Sequence, residues 1–383
     1  MIYLDNAATS FPKPPAVLEE TLGCMRSYCG NPGRGSHALA MAAAEKIYEC
    51  REVAARFFGL RAPEQVIFTP NTTVALNIAI KGLVKPGDHV LISDMEHNAV
   101  WRPIERLARE GLIEYDLFPT LPNQQEGRER AILAAIRARI KPNTRMLVAA
   151  HASNLCALTL PLDAIGAICR SAGILFVVDA AQSAGHLPIF MERWSIDALC
   201  APGHKGLLGP QGTGLLLLRK GLEVQTLIEG GSGLFSLDPS MPKAAPERFE
   251  AGTPATPAIA GLCAGFAFLE QVGLQTVART ERALNGYLQE RLLALPGVTV
   301  YAPHRVGSTL LFSVDGLPAE EVGQALGKRG ICVRTGYHCA ALGHRTLGTP
   351  QGGAVRVSPG LFNTREDMDA TLAAIRDVLV GGL

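Results

Sequence analysis

The chain has 383 residues, of which 48% are hydrophobic and 19% are charged, and its formal net charge at pH 7 is +1. This length exceeds the needs of one minimal core, so we expect two packed units, or one large α/β body with a small appendage. A net charge so close to zero gives no bulk attraction to nucleic acid or to an anionic membrane, and neither is predicted as a partner.

The N-terminal segment and the cysteines favour a reducing compartment. MIYLDNAATSFPKPP lacks the basic and apolar regions of a signal peptide, and no apolar run approaches the length of a membrane span. None of the nine cysteines lies in a C-x-x-C pair, which argues against a disulfide framework and against a zinc site. We therefore expect a cytoplasmic protein without a bound metal. Most of the thiols are predicted to be inert core residues, namely Cys24, Cys29, Cys50, Cys169, Cys200 and Cys263.

Strand-like and helix-like segments alternate through the first two thirds of the chain. QVIFTP (residues 65–70) predicts a strand, and NTTVALNIAIKGL after it predicts a helix with polar cap residues at its start. DHVLISDMEHNA, TRMLVAAHASN and GILFVVDAAQS each predict an apolar strand that ends in polar residues. IDALCAPGHKGLLGPQGTGLLLLR predicts a strand, a glycine-rich turn and a second strand. This order is typical of a largely parallel sheet covered on both faces, in which ligands bind outside the carboxyl ends of the strands.

The pattern changes from about Gly265. A long helical pattern, FAFLEQVGLQTVARTERALNGYLQERLLAL, leads into short strands around VTVYAP, STLLFSVDG and AVRVSPG, which indicates a smaller α+β domain. Cys339 falls in this part, on a loop before the strand that holds Arg356. We predict a large domain of residues 14–262 and a small domain of residues 1–13 and 263–383 that carries the cysteine loop.

Two residues at neighbouring strand ends carry opposite charges. Asp179 closes the apolar run ILFVVD, where a carboxylate is costly unless a cation meets it. Lys205 follows another strand within a glycine-rich turn. The ordinary interpretations are a helix cap or salt bridge for Asp179 and a surface lysine for Lys205. The functional interpretation is that Asp179 faces a protonated ring nitrogen and that Lys205 forms a Schiff base, as pyridoxal phosphate requires.

Other polar residues allow two interpretations each. Thr72 and Thr73 open the helix after VIFTP, where free N–H groups favour phosphate, although threonine there is also an ordinary N-cap. His97 in DMEHNAV is either a solvated loop histidine or a residue that stacks on a cofactor ring. Arg356 lies in an alternating strand, where its guanidinium either faces solvent or grips a carboxylate with two parallel hydrogen bonds.

Cys339 differs from the other cysteines in its surroundings. It lies in RTGYHCAALGHRT, next to His338 and between two arginines. Nearby positive charge lowers the pKa of a thiol and raises its thiolate fraction. An arbitrary cysteine is more often inert, but buried structural cysteines usually lie in apolar runs, so this polar loop favours a reactive thiol.

Eight motifs follow one another along the chain: YLDNAATS, NPGRGSHALA, FTPNTTVALN, DMEHNA, VVDAAQSAGH, APGHKGLLGPQGTG, FEAGTP, and RTGYHCA followed by VRVS. Together they resemble the class V aminotransferase superfamily and, more narrowly, the cysteine desulfurases of the SufS-like group, which includes selenocysteine lyases. The resemblance runs from the first ten residues to about residue 370, and the order of the motifs makes it specific. It implies a homodimeric pyridoxal-phosphate enzyme of fold type I, with a mainly parallel seven-stranded sheet in its large domain.

The resemblance implies a role for each matching residue. Lys205 is similar to the lysine that holds the cofactor, Asp179 to the partner of its ring nitrogen, and Gln182 to the donor to its ring hydroxyl. His97 is similar to the stacking and proton-transfer residue. The implied phosphate ligands are Thr72, Thr73, His204 and, reaching the phosphate of the other subunit, Thr253. The implied substrate site consists of Ala8, Arg34, Asn154 and Arg356, of which the last two resemble a carboxylate clamp.

Cys339 resembles the nucleophile that takes sulfur from L-cysteine, which leaves alanine and a persulfide. The implied partners are L-cysteine and a sulfur acceptor, either a protein or a small thiol, and iron–sulfur cluster assembly is one possible destination of the sulfur. Three alternatives stay open: L-selenocysteine as the substrate, a different amino acid without use of the cysteine, and a non-enzymatic binding protein. The joint presence of Lys205, Asp179, His97 and Arg356 argues against the last.

Two features bear on how closely the chain follows the family. Pro202 stands where relatives commonly have serine or threonine, and it has neither a hydroxyl nor an N–H group. We therefore expect one phosphate contact to be lost or supplied elsewhere. The Cys339 segment resembles the shorter-loop group of desulfurases, so an acceptor is expected to approach the cysteine.

Overall fold

A seven-stranded sheet forms the centre of the larger part of the molecule. The structure is a computed structural model that describes residues 1–33 and 35–381. The strands of this sheet are β2 (Val66–Thr69), β3 (Asp88–Ser93), β4 (Ile113–Phe118), β5 (Thr144–Ala150), β6 (Leu175–Asp179), β7 (Ala198–Pro202) and β8 (Gly214–Leu218). They lie in the order β2–β8–β7–β6–β5–β3–β4, with β8 antiparallel to both neighbours and the other pairs parallel. The predicted mixed α/β fold with a mainly parallel seven-stranded sheet is confirmed.

Both faces of this sheet are buried, which is why its strands read as apolar runs. Along β3, the side chain of Leu91 belongs to the core on one face, while those of Val90 and Ile92 belong to the core on the other. The first face is covered by α2 (Ala38–Phe57), α5 (Arg128–Arg139), α6 (Leu162–Ala172) and α7 (Thr256–Val272). The second face is covered by α3 (Thr72–Leu83) and α4 (Asn98–Arg109). Helix α1 (Pro15–Ser27) packs against α7.

A smaller antiparallel sheet follows in the C-terminal part. Its strands are β9 (Val298–Val300), β10 (Leu310–Val314), β12 (Arg334–Gly336) and β13 (Ala354–Val357), in the order β12–β13–β10–β9. Helices α8 (Leu274–Leu293), α9 (Ala319–Lys328) and α11 (Arg365–Gly381) pack on its core, and α10 (Ala341–Leu347) follows the cysteine loop. The N-terminal strand β1 (Ile2–Tyr3) pairs in parallel with β11 (Ile331–Cys332), so the start of the chain lies with its C-terminal part.

The long helical pattern of the sequence is two helices rather than one. Helix α7 ends at Val272 and α8 begins at Leu274, with a bend of 80° between them. Gly273 joins them at φ +82°, a left-handed conformation that suits glycine and ends a helix. Leu262 and Phe266 of α7 both lie in the core beside the large sheet, so the predicted boundary between residues 262 and 263 falls inside a helix of the large domain. In the described ranges, no single helix has the length and apolarity of a membrane span, and α7 with α8 reach them only together, across this bend.

Five of the six cysteines predicted to lie in the core are buried: Cys24, Cys50, Cys169, Cys200 and Cys263. For Cys29 the prediction is wrong, because this thiol is exposed. It follows the last turn of α1, on the loop toward α2.

Candidate active site

A cavity opens at the carboxyl ends of β5, β6 and β7, where the N-terminal end of α3 also points. Its empty volume is about 580 Å³. Residues predicted from separate motifs line it together: Thr72, Thr73, His97, Asn154, Asp179, Gln182, His204 and Lys205. The topology explains this, because parallel strands bring their carboxyl ends to the same edge of the sheet.

Asp179 and Lys205 bring opposite charges to this cavity. Burial raises the pKa of Asp179, whereas the Ala181 N–H group, 2.8 Å from Asp179 Oδ1, and the charge of Lys205 lower it. Burial lowers the pKa of Lys205 to about 8, although Asp179 opposes this shift. An amine with such a pKa is neutral, and therefore nucleophilic, in a sizeable fraction of molecules near neutral pH.

The N-terminal end of α3 offers unpaired donors to the cavity. Asn71 caps the helix, with its Oδ1 accepting from the Val74 N–H group at 3.0 Å. The N–H groups of Thr72 and Thr73 precede the first intrahelical bond, so they are available to an anion. Within the described residues, the buried Thr72 Oγ1 has no hydrogen-bond partner. Pro202 lines the same cavity without a donor, and the Thr72 hydroxyl is a candidate for the contact that Pro202 cannot make.

Two histidines at this cavity are neutral at pH 7. His97 is the N-cap of α4, and its Nδ1 accepts from the Ala99 N–H group at 3.0 Å, so its ring proton lies on Nε2. Burial lowers the pKa of His97 to about 4. His204 Nδ1 lies 3.1 Å from Thr9 Oγ1, and burial lowers its pKa to about 4 as well. Both rings therefore add no positive charge to the cavity at pH 7.

Arg356 is not the solvent-facing strand arginine that its sequence pattern allowed. The residue is 1% exposed. Its Nη2 donates to Asp5 Oδ1 at 2.7 Å, and its Nη1 donates to the Asn154 carbonyl at 3.0 Å. Arg356 Nε is buried and has no partner among the residues that the structure describes. A buried guanidinium whose Nε–H group is free suits a further carboxylate, such as that of an amino acid.

Cys339 is exposed and lies outside the lining of the cavity, but its turn is bonded to the elements around it. The Asn98 N–H group at the start of α4 donates to the Cys339 carbonyl at 2.7 Å. Asn154 Nδ2 donates to the His338 carbonyl at 2.8 Å. His338 and Cys339 have φ values of +50° and +55°, a left-handed conformation that costs energy in residues other than glycine. A charged group lies close to the thiol, since Arg334 Nη2 is 3.8 Å from Cys339 Sγ.

Two further predicted residues, Ala8 and Thr253, do not line the cavity. Thr253 lines a different cavity, beside Phe68 and Ile228, and its contact with the phosphate of another subunit stays a prediction. Ala8 lies in a turn closed by its own N–H group, which donates to the Asp5 carbonyl at 3.0 Å. The carbonyl of its neighbour, residue 7, accepts from Gln182 Nε2 at 2.9 Å, which places this turn beside the site. Arg34 lies outside the described residues.

A family model, the one for class V aminotransferases, matches residues 2–371. The chain belongs to the class V aminotransferase family. Similar curated proteins include a probable cysteine desulfurase of Halalkalibacterium halodurans, 33% identical over 97% of this chain and 91% of that protein. A cysteine desulfurase of Yersinia pestis is 31% identical over 99% of this chain and 93% of that protein.

Solved structures of two cysteine desulfurases agree with this assignment. The apo cysteine desulfurase from Thermococcus onnurineus NA1 superposes with a TM-score of 0.90 at 31% identity, covering 100% of this chain and 95% of that one. The Escherichia coli cysteine desulfurase CsdA, in an S-sulfonic acid form, superposes with a TM-score of 0.86 at 26% identity, covering 98% and 94%. The predicted family and the predicted fold are therefore confirmed.

Two residues of this class V aminotransferase site were not assigned a role from the sequence. Glu96 is fully buried beside His97, its Oε1 accepts from the Ala150 N–H group at 2.9 Å, and burial raises its pKa to about 8. Arg334 pairs across β12 and β13 with Arg356, and its guanidinium reaches Cys339. Glu96 lies in the motif DMEHNA and Arg334 in the motif RTGYHCA, so both residues belong to motifs that were recognised in the sequence. Their roles depend on strand register and burial, which these motifs do not show.

Proposed function

We propose that this chain is a pyridoxal-phosphate-dependent cysteine desulfurase that converts L-cysteine into L-alanine and leaves the sulfur as a persulfide on Cys339. The observation that carries this proposal is that the same segments border the cavity and hold the cysteine turn by hydrogen bonds. Asn154 lines the cavity and donates a hydrogen bond to the turn. His97, the N-cap of α4, also lines the cavity, and the next residue, Asn98, donates to the Cys339 carbonyl. The named relatives and structural neighbours support the same activity.

The residues around the cavity fit pyridoxal phosphate. The free N–H groups of α3 and the unpartnered Thr72 hydroxyl suit its phosphate. Asp179 would face its ring nitrogen, and Lys205 would hold its aldehyde carbon. When bound, this cofactor supplies an electron sink for the α-carbon of an amino acid.

The side chains of this chain have separate tasks in the reaction. Lys205 Nζ, with a pKa of about 8, accepts and returns a proton at the substrate α-carbon. Arg356 holds the substrate carboxylate through its free Nε. The Cys339 thiolate attacks the substrate sulfur, so that an S–S bond forms as the C–S bond breaks. The electron pair of the broken bond stays on carbon, which takes up a proton, and alanine leaves.

The geometry of the cysteine turn bears on how a sulfur acceptor reaches Cys339. Because backbone hydrogen bonds hold Cys339, we propose that an acceptor with its own accessible thiol approaches the persulfide, either a small thiol or a protein such as one serving iron–sulfur cluster assembly.

We also propose a homodimer, since Thr253 lies outside the cavity of its own chain. A reducing compartment such as the cytoplasm is proposed because free thiols and persulfides persist there.

The test compares the wild type with Cys339→Ala after loading with pyridoxal phosphate. We expect equal amounts of alanine and sulfide from L-cysteine in the presence of a reducing thiol. In Cys339→Ala the visible absorbance of the bound cofactor is retained, but turnover falls by about 100-fold or more because the nucleophile is missing. Cys29→Ala, which removes another exposed thiol, keeps full turnover. Full turnover of L-cysteine by Cys339→Ala would contradict the proposal, and turnover of L-selenocysteine alone would indicate a lyase.

A further inference from the structure

The side chains of His338, His344 and Thr349 form a hydrogen-bond chain next to the cysteine turn. His338 Nε2 lies 3.2 Å from the Arg334 carbonyl, and His338 Nδ1 lies 3.2 Å from His344 Nε2. His344 Nδ1 lies 2.8 Å from Thr349 Oγ1. The two imidazole planes are within 8° of parallel, and both histidines are at most 4% exposed. Neither His344 nor Thr349 has a part in the reaction described above.

The Arg334 carbonyl at one end of this hydrogen-bond chain fixes the donor and the acceptor in every bond along it. A carbonyl oxygen only accepts, so His338 Nε2 carries a proton and donates to Arg334. In a neutral ring His338 Nδ1 is then bare, and it accepts from His344 Nε2. The bare His344 Nδ1 in turn accepts from the Thr349 hydroxyl. Burial lowers the pKa of His338 to about 3 and that of His344 to about 4, so both rings are neutral at pH 7.

We propose that Thr349, His344 and His338 form a hydrogen-bond chain of fixed direction that positions Arg334 against the sulfur of Cys339. The chain ends on the backbone of Arg334, and the side chain of the same residue reaches Cys339 Sγ at 3.8 Å. At this place the guanidinium puts a hydrogen-bond donor and a positive charge beside the sulfur of Cys339. His338, His344 and Thr349 are thus positioning residues, and their use in catalysis rests on the proposed function.

The first test measures alkylation of Cys339 by iodoacetamide at pH 7 in the protein without substrate, followed by mass spectrometry of the Cys339 peptide. Thr349→Val, which keeps the shape but loses the hydroxyl, slows alkylation by roughly five- to tenfold, as expected for the loss of one hydrogen bond. Thr349→Ser restores the rate of the wild type. The exposed Cys29 is the internal reference and reacts at one rate in all variants.

A double-mutant cycle separates positioning from a merely structural role. Arg334→Gln slows alkylation of Cys339 at least as much as Thr349→Val does. Adding Thr349→Val to Arg334→Gln gives no further decrease, because the guanidinium that the hydrogen-bond chain positions has already been removed. Additive effects of the two substitutions, or an unchanged rate in Thr349→Val, would overturn the proposal.

A spectroscopic measurement checks the direction of the chain. In protein with ¹⁵N-labelled histidine, we expect the His338 and His344 rings to be neutral, each with its proton on Nε2, between pH 6 and 8. His304→Gln, which removes an exposed histidine, leaves both signals unchanged. A proton on Nδ1 of either ring contradicts the proposal. Neither test uses pyridoxal phosphate or L-cysteine, so their outcomes stand even if the desulfurase assay fails.

Discussion

Asp5 and Arg356 are 351 residues apart in the chain, yet Arg356 Nη2 donates to Asp5 Oδ1 at 2.7 Å. Arg356 is 1% exposed, so Asp5 is the counter-charge that allows a guanidinium to lie in this position. The pair explains why a strand of the small sheet can carry a buried arginine.

Replacement of that counter-charge should destabilise the protein. In Asp5→Asn the buried Arg356 loses its compensating charge, and we expect the free energy of unfolding to fall by about 3 kcal/mol. Urea denaturation measures the change. Asp315→Asn, at an exposed aspartate, is the control and should change stability by less than about 0.5 kcal/mol. Equal stability of the two variants would show that the pair is not needed.

The lowered pKa of Lys205 predicts a pH dependence. Burial lowers this pKa to about 8, so between pH 8 and the ordinary lysine value the unfolded chain binds more protons than the folded one. The free energy of unfolding of the wild type, relative to that of Lys205→Gln, should therefore rise with pH in this window, by up to roughly 3 kcal/mol. The measurement is urea unfolding of both apoproteins at pH 7.5 and pH 10. A difference that does not change with pH would mean that Lys205 has an ordinary pKa.

Glu96 predicts the opposite trend. Burial raises its pKa to about 8, so between the ordinary carboxyl value and pH 8 the folded chain binds more protons than the unfolded one. The stability of the wild type relative to Glu96→Gln should fall by roughly 3 kcal/mol between pH 5 and pH 8. Glutamine keeps the acceptor for the Ala150 N–H group, so it is a suitable mimic of the neutral acid. A rise in relative stability with pH would show instead that Glu96 is ionised.

Glycine substitutions test the packing next to Lys205. A Cβ atom on Gly206 would lie 2.4 Å from the Ala184 carbonyl oxygen and 2.5 Å from the ring of His186. Gly206→Ala should therefore displace the Lys205 turn and weaken binding of pyridoxal phosphate, measured by the visible absorbance of the bound cofactor. Gly327 lies in α9, and among the described residues no atom beyond the adjoining residues and backbone of its own helix lies within 4 Å of such a Cβ. Gly327→Ala should therefore bind the cofactor normally and gain up to about 1 kcal/mol of stability. Normal cofactor binding by Gly206→Ala would contradict the prediction.

The sequence predicted the parts of this protein that depend on local pattern. Apolar runs ending in polar residues were sufficient to predict the parallel sheet and to bring Asp179 and Lys205 to one edge. The pairing of Arg334 with Arg356 was out of reach, because register between distant antiparallel strands is set by tertiary packing. The division at Gly273 was missed because one glycine does not interrupt a helical pattern, and its positive φ is a property of the folded chain.

The pairing of β1 with β11 has a consequence for the order of events during synthesis. Ile2 aligns with Ile331, so the first strand has no partner until most of the chain has left the ribosome. The strands of the large sheet are all complete by residue 218, so this sheet can assemble early. The counter-ion of Arg356 and the cysteine turn then come together only in the last steps, because contacts between distant segments form late. A nascent chain arrested before residue 331 would therefore contain every residue that lines the cavity but not Cys339.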